Sequence, residues 1–179
     1  LGQPYSERLK DRIGYLPEFF RFPGWMTVRR VLALHCALAQ VPRARCDTRM
    51  SVVLDAVRLT DRADDRVGAL SKGLQQRLGL AVALVAEPEL VLLDEPTTAL
   101  DPAERHHFRE LIRDLSVRGA TVLLNTHLLG EAERICDHVA ILSRGRIVAA
   151  GPLAEFVGSE ETDGRPSLEA RYLRLVGEG

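Results

Sequence analysis

The sequence has no apolar run long enough to cross a membrane as a helix. Its longest uncharged apolar stretch, residues 78–86, stops at Glu87, whereas a spanning helix needs roughly 18 to 20 apolar residues. Only three cysteines are present, without a C-x-x-C pair, which favours reduced thiols over a disulfide framework or a zinc site. The sequence therefore predicts a domain with no membrane helix of its own and with free thiols.

An excess of one charge is also missing. Lys and Arg number 24 and Asp and Glu 25, for a net charge of -1, so no overall basic field draws the chain to nucleic acid or to an anionic membrane. The 179 residues are 46% hydrophobic and 27% charged, which is typical of a globular domain and not of a disordered chain or a coiled-coil rod. Because residue 1 is Leu and no signal peptide follows it, we expect a fragment of a longer protein.

The first half of the chain predicts a helical block. Thr27 has the side chain of an N-cap for a helix that runs to about residue 40, and apolar spacing predicts a second helix over residues 47–58. A third helix is expected from Ser71 to a point before Glu87 and Pro88, because the residue that precedes a proline avoids helical geometry.

The second half predicts alternating strands and helices. The apolar runs 90–93 and 121–124 are typical of strands buried on both faces of a parallel sheet. Between them, Asp101 and Glu104 form a capping box, with Pro102 at the first helical position and Gly119 as the stop. The remaining predicted elements are a helix over 128–136, a hairpin of 139–143 and 146–150, a loop over 159–166 and a last helix over 167–176.

Three polar residues follow the predicted parallel strands, where ligands of such sheets bind: Asp94, Glu95 and His127. An acidic pair after an apolar strand suits nucleotide hydrolysis, since Asp94 can hold Mg2+ and Glu95 can orient and deprotonate an attacking water. Taken alone, two acids that cap a strand at the surface and a structural histidine are the commoner explanations. The neighbouring sequence decides between these readings.

That neighbouring sequence is Leu-Ser-Lys-Gly-Leu-Gln-Gln-Arg at 70–77 and Leu-Val-Leu-Leu-Asp-Glu-Pro-Thr-Thr-Ala-Leu-Asp-Pro at 90–102. Together the two segments resemble the ATP-binding domain of ABC transporters, and the resemblance runs over about residues 12–152. It places Ser71 and Gly73 in the signature motif, Asp94 and Glu95 in the Walker B motif, Asp101 in the D-loop and His127 at the switch histidine.

The resemblance implies an α/β fold, namely the C-terminal part of a P-loop NTPase (ABC ATPase) domain with a mainly parallel sheet flanked by helices and a helical signature subdomain. It also implies four segments. Residues 1–24 hold the Q-loop and the end of a truncated core, 25–86 the helical subdomain, 87–158 the Walker B, D-loop and switch-histidine core, and 159–179 a C-terminal loop and helix.

The resemblance further implies that ATP and Mg2+ are held between two such subunits. Ser71 at a helix start and Gly73 without a side chain would leave backbone N–H groups free to meet a phosphate on the opposite subunit's ATP. Lys72 would either add a positive charge there or simply point to solvent. Asp101 would join the same nucleotide contact, and His127 would donate a hydrogen bond to the γ-phosphate.

Three departures from the family pattern are visible. Glu18 stands at the Q-loop glutamine position, where a carboxylate can still bind Mg2+ but adds negative charge beside a triphosphate. Lys72 and Leu74 replace residues of Leu-Ser-Gly-Gly-Gln, in a form that resembles exporters with ABC-2 type membrane subunits. No G-x-x-x-x-G-K-[ST] loop is present, so we expect little ATP binding by these residues alone.

The sequence therefore predicts an ATP-hydrolysing subunit of an ABC transporter. Its expected partners are a second ATP-binding subunit, head to tail, and a membrane-spanning permease that keeps it at the inner face of the cell membrane; no nucleic acid is expected. One alternative is a non-transport ABC ATPase that acts on nucleic acid or the ribosome, which the neutral charge disfavours. Another is a non-catalytic module that only supplies its signature face to a partner's ATP.

Overall fold

The computed structural model describes residues 12–157 and 167–177, so the predicted loop over residues 159–166 lies outside the described residues. The chain divides into two compact units, one ending at Asn125 and the other beginning at Thr126. The four segments expected from the motifs remain a prediction, because the order of the motifs defines them, whereas packing defines the two units. No helix in the two described ranges is long and apolar enough to cross a membrane.

The first unit contains a parallel sheet of three strands, which confirms the predicted α/β architecture. The strands are, in spatial order, β1 (Ile13–Leu16), β2 (Leu90–Asp94) and β3 (Thr121–Asn125). Leu16 pairs with Leu93, and Asp94 pairs with Asn125. The carboxyl ends of all three strands therefore lie at the same end of the sheet, where ligands bind in folds of this kind.

Three helices precede β2: α1 (Val28–Leu38), α2 (Arg43–Ala56) and α3 (Lys72–Leu84). The predicted caps are confirmed, because the Thr27 hydroxyl accepts the Arg30 N–H and the Ser71 hydroxyl accepts the Leu74 N–H, each at 3.3 Å. Helix α2 begins four residues earlier than residue 47, where the sequence predicted its start. The reason is Pro42, whose ring fixes φ at -54° and whose carbonyl accepts the Arg45 N–H.

Arg49 of α2 closes the C-terminal end of α3. Its guanidinium donates to the Leu84 carbonyl at 3.3 Å, to the Val85 carbonyl at 3.2 Å and to Glu87 Oε1 at 2.7 Å. A cation at this position supplies donors to carbonyls of the last helical turn, of which the Leu84 carbonyl also accepts the Glu87 N–H at 3.1 Å. Burial lowers the pKa of Arg49, and the charge of Glu87 opposes that effect.

We expect Arg49→Met to lower the free energy of unfolding by about 1–3 kcal/mol, because the Val85 carbonyl loses its donor in a partly buried position and the Leu84 carbonyl keeps only the Glu87 N–H. Urea denaturation measures the change. Arg45→Met is the matched control, since Arg45 also pairs with Glu87, at 2.7 Å, but both side chains are exposed; an exposed pair contributes about 0–1 kcal/mol. Equal losses in the two variants would show that the helix-end contact is not stabilising.

Helix α4 (Pro102–Val117) begins with the predicted capping box. Asp101 Oδ1 accepts the Glu104 N–H at 2.9 Å, and Glu104 Oε2 accepts the Asp101 N–H at 3.3 Å. The helix ends just before Gly119, which has a φ of +90° and so supplies the left-handed residue that commonly follows a helix.

The apolar sequence predicted that strand β3 is buried on both faces, and this prediction is wrong. Thr121, Leu123 and Asn125 are exposed, with 63% of Leu123 accessible, whereas Val122 and Leu124 are half-buried. Helix α4 packs against β3, and a strand covered on one face buries only alternate residues. Within the described residues, β3 also pairs with a single strand, β2.

The second unit contains helices and an antiparallel hairpin: α5 (Leu129–Ile135), β4 (His138–Ser143), β5 (Arg146–Pro152) and α6 (Leu168–Gly177). The predicted hairpin is confirmed, with Arg144 and Gly145 at φ values of +48° and +76° in a two-residue turn, the backbone that a tight hairpin prefers. The core of this unit consists of Ala132, Ile141, Phe156 and Leu168.

Candidate functional site

Asp94 lies at the end of β2, and its neighbour in the sheet orients it. Asn125, the last residue of β3, donates from Nδ2 to Asp94 Oδ1 at 2.6 Å. The pairing follows directly from the register, which places the two residues side by side. Sequence reasoning did not single out Asn125, although an amide at the end of the neighbouring parallel strand was the available signal.

Glu95 leaves the strand in a backbone conformation that is rare for its residue type. Its φ is +47°, a left-handed value that costs of order 1–3 kcal/mol and concentrates at functional sites. The hydrogen bonds that stabilise this turn include the Glu95 N–H to the Asn125 carbonyl at 2.9 Å and the Thr98 hydroxyl to Glu95 Oε2 at 3.2 Å.

The loop after Glu95 is tied to helix α3. The side-chain amide of Gln76 donates to the Pro96 carbonyl at 3.1 Å, and Gln76 and Thr97 are both buried. Gln76 lies within the 70–77 segment that carries the signature residues, but the sequence predicted no role for it. This buried hydrogen bond connects the helix that begins at Ser71 with the loop that carries the acidic pair.

The N-terminal end of α3 is open to solvent. Ser71 and Lys72 are exposed, and Gly73 is half-buried. The Ser71 side chain caps the helix by accepting the Leu74 N–H. An exposed helix start with unpaired backbone N–H groups and a neighbouring lysine suits an anionic phosphate.

Gly73 lies against the start of helix α4. A Cβ atom at this position would be 3.0 Å from Glu104 Oε2 and 3.4 Å from the Ala99 carbonyl oxygen. Because Glu104 caps Asp101, the structure brings together the predicted signature residue Gly73 and the predicted D-loop residue Asp101.

Glu18 and His127 complete the predicted site residues. Glu18 is exposed two residues beyond the end of β1, next to the strand end that carries Asp94. His127 is also exposed and belongs to the second unit, two residues beyond β3, where its carbonyl accepts the Leu129 N–H at 3.1 Å.

The donor set fits a Mg2+ ion that is bound together with a nucleotide. Asp94 and Glu18 offer hard carboxylate oxygens, and Mg2+ commonly takes one or two carboxylates and completes its shell with phosphate oxygens and water. In residues 12–157 and 167–177, no group of three or more His, Cys, Asp or Glu side chains could hold a metal ion. These described residues therefore offer too few ligands for an all-protein cage, and phosphate oxygens would have to supply the remainder.

A parallel sheet with an acidic pair at its carboxyl edge places the chain in the α/β class, whose ligands bind at that edge. The family model described as ABC transporter matches residues 2–98, which is more than half of the chain. The chain belongs to the ABC transporter family.

Individual relatives agree with this assignment. An uncharacterized ABC transporter ATP-binding protein of Nostoc sp. is 41% identical over 165 residues, which cover 90% of this chain and 49% of that protein. Nod factor export ATP-binding protein I of Neorhizobium galegae is 40% identical over 170 residues, which cover 94% of this chain and 48% of that protein. The chain thus spans about half the length of these relatives.

A solved structure titled "Structure of ATP binding subunit of ABC transporter" superposes with a TM-score of 0.80 at 30% identity. The match covers 93% of this chain and 69% of that chain. The fold is therefore the α/β P-loop NTPase fold of ABC ATP-binding subunits, as the motifs implied.

Proposed function

We propose that the chain is part of an ATP-binding and ATP-hydrolysing subunit that powers an ABC transporter. The observation that carries the proposal is the turn at the end of β2. There Asn125 orients Asp94 at 2.6 Å, and Glu95 adopts a left-handed backbone with its carboxylate bonded to Thr98. Such strained and hydrogen-bonded acids are typical of catalytic positions.

In this proposal Glu95 is the general base that accepts a proton from the water attacking the γ-phosphorus. The Thr98 hydroxyl fixes the orientation of the carboxylate through Oε2. Asp94 and Glu18 would hold a Mg2+ ion, which would supply electrostatic stabilisation of the charge that develops on the phosphate. His127 donates a hydrogen bond to the γ-phosphate.

A second copy or a related subunit completes the site in a head-to-tail dimer. Ser71, Lys72, Gly73 and Asp101 contact the ATP held by that subunit, and the exposure of Ser71 and Lys72 supports this role. The positive end of helix α3 and the Lys72 ammonium group complement the phosphate charge. ATP binding therefore closes the dimer, and hydrolysis reopens it.

The other partner is a membrane-spanning permease, which places the subunit on the cytoplasmic side at the inner face of the membrane. Exposed apolar side chains support a docking surface for it, including Phe19 at 85% and Trp25 at 69% exposure. Phe20, in contrast, is half-buried and lies next to Gly79. The names of the Nod factor export relatives favour export as the direction of transport.

The test compares Mg2+-dependent ATP hydrolysis by the full-length subunit with hydrolysis by the 179-residue chain. We expect turnover by the full-length subunit, none after chelation of Mg2+, and none by the 179 residues, since no G-x-x-x-x-G-K-[ST] loop is present in them. Inorganic phosphate release measures the rate.

Other results would contradict the proposal in distinct ways. Robust turnover by the 179 residues would show that the phosphate loop is not needed. Stimulation by nucleic acid would favour the non-transport alternative. A full-length subunit that is inactive alone but activates a second ATPase on mixing would be a non-catalytic module.

A further inference from the structure

The carboxylate of Glu104 contacts both elements that the proposed function presents to a second subunit. Its Oε2 atom accepts the Asp101 N–H at 3.3 Å and would lie 3.0 Å from a Cβ placed on Gly73. Its other oxygen, Oε1, lies 3.7 Å from Nε of Arg77. One side chain at the start of α4 therefore lies between Asp101, Gly73 and Arg77, the last of which is in the second turn of α3.

Arg77 depends on Glu104 for its charge compensation. The two side chains are 19% and 25% exposed, so solvent screens their attraction less than it screens a surface pair. Among the described residues, Nε of Arg77 is buried and has no hydrogen-bond partner. The carboxylate of Glu104 is thus the charge that compensates this part of the guanidinium.

Packing alone does not set the spacing of this pair. A cavity of about 110 Å³ adjoins it and is lined by both side chains together with Asp101 and His107. A cavity leaves side chains without contact atoms on one side, so packing restrains this pair less firmly there, and the ion pair adds to the restraint that the Gln76 hydrogen bond to the Pro96 carbonyl already provides.

We propose that Arg77 and Glu104 form a positioning pair that holds the start of the signature helix and Asp101 in one fixed arrangement. The inference rests on the proposed function, because the arrangement matters when both elements meet the same ATP across a dimer. Neither side chain is assigned a contact with ATP. Their effect on hydrolysis acts through Ser71, Gly73 and Asp101, whose misplacement by even 1 Å is costly for catalysis.

The test is a double-mutant cycle in the full-length subunit with Arg77→Met and Glu104→Gln. Glutamine keeps an oxygen that accepts the Asp101 N–H and removes only the charge, which separates helix capping from ion pairing. We expect each single change to lower kcat for ATP about tenfold with KM within about twofold, and the double variant to be no slower than either single variant.

Arg77→Lys provides the rescue, because it keeps the positive charge and should recover part of the kcat lost in Arg77→Met. If Arg77→Met does not fold, Arg77→Lys takes its place in the comparison with Glu104→Gln. Arg29→Met and Asp64→Asn are the matched control pair, since their salt bridge joins two exposed side chains at 3.0 Å. We expect no change in kcat from the control pair.

Additive losses in the cycle, a change in KM without a change in kcat, or no rescue by lysine would overturn the positioning role. These outcomes leave the proposed function intact, because the unsubstituted subunit still hydrolyses ATP. Absence of hydrolysis by the unsubstituted subunit contradicts the proposed function and, with it, the positioning role.

Discussion

Glu95→Gln is expected to reduce ATP turnover by the full-length subunit at least about 100-fold, since general bases contribute typically 10²–10⁴-fold. Glutamine has the same shape as glutamate but cannot accept the proton of the attacking water. Its side-chain oxygen still accepts the Thr98 hydroxyl, which lies 3.2 Å from Glu95 Oε2. The loop should therefore keep its conformation while the chemical step stops.

Two further measurements identify this loss as catalytic. Thermal unfolding of the variant should match the unsubstituted subunit, because the left-handed backbone is equally strained for Glu and Gln. Filter binding should show ATP that stays bound without conversion, as expected when binding precedes a blocked step. Glu110→Gln, which removes an exposed carboxylate on α4, is the control. Normal hydrolysis by Glu95→Gln would remove Glu95 from the base role.

The sequence predicted the elements whose signals are local. The capping box at Asp101 and Glu104, the cap at Ser71 and the hairpin turn at Arg144 are all present as expected, because each depends on residues within four positions of one another. Strand β2 was predictable from its apolar run and the change of period before it.

The sequence did not predict features that depend on long-range geometry. The hydrogen bonds from Asn125 to Asp94 and from Gln76 to the Pro96 carbonyl join residues 31 and 20 positions apart. They exist because the sheet register and the packing of α3 bring the groups together. The exposure of β3 has the same origin, since an apolar strand sequence does not reveal how many faces are covered.

The contact between β1 and α3 also depends on long-range geometry. A substitution that disturbs it has the largest expected effect on stability. Gly14 of β1 lies so close to α3 that a Cβ would be 2.1 Å from the Ala83 carbonyl oxygen and 2.9 Å from Pro88 Cγ. No rotation of a side chain relieves an overlap with backbone. Either the strand or the end of the helix would have to move.

Gly14→Ala is therefore expected to lower the free energy of unfolding of the first unit by about 3 kcal/mol or more, the upper range for an overpacked core. Urea denaturation followed by tryptophan fluorescence measures it, since Trp25 is the single tryptophan and lies in this unit. Gly130→Ala in α5 of the second unit is the control: nothing lies within 4 Å of its Cβ position, and the unfolding free energy of the first unit should stay within about 0.5 kcal/mol.

A Gly14→Ala variant within about 1 kcal/mol of the unsubstituted chain, a typical effect for a tolerated substitution, would contradict the close approach of β1 to α3. The approach matters for function because the two elements carry different parts of the proposed site. Strand β1 leads to Glu18, and α3 begins with the signature residues. A methyl group between them would shift Glu18 relative to Ser71. ATP hydrolysis by a Gly14→Ala subunit should therefore fall by more than the decrease in its folded fraction explains.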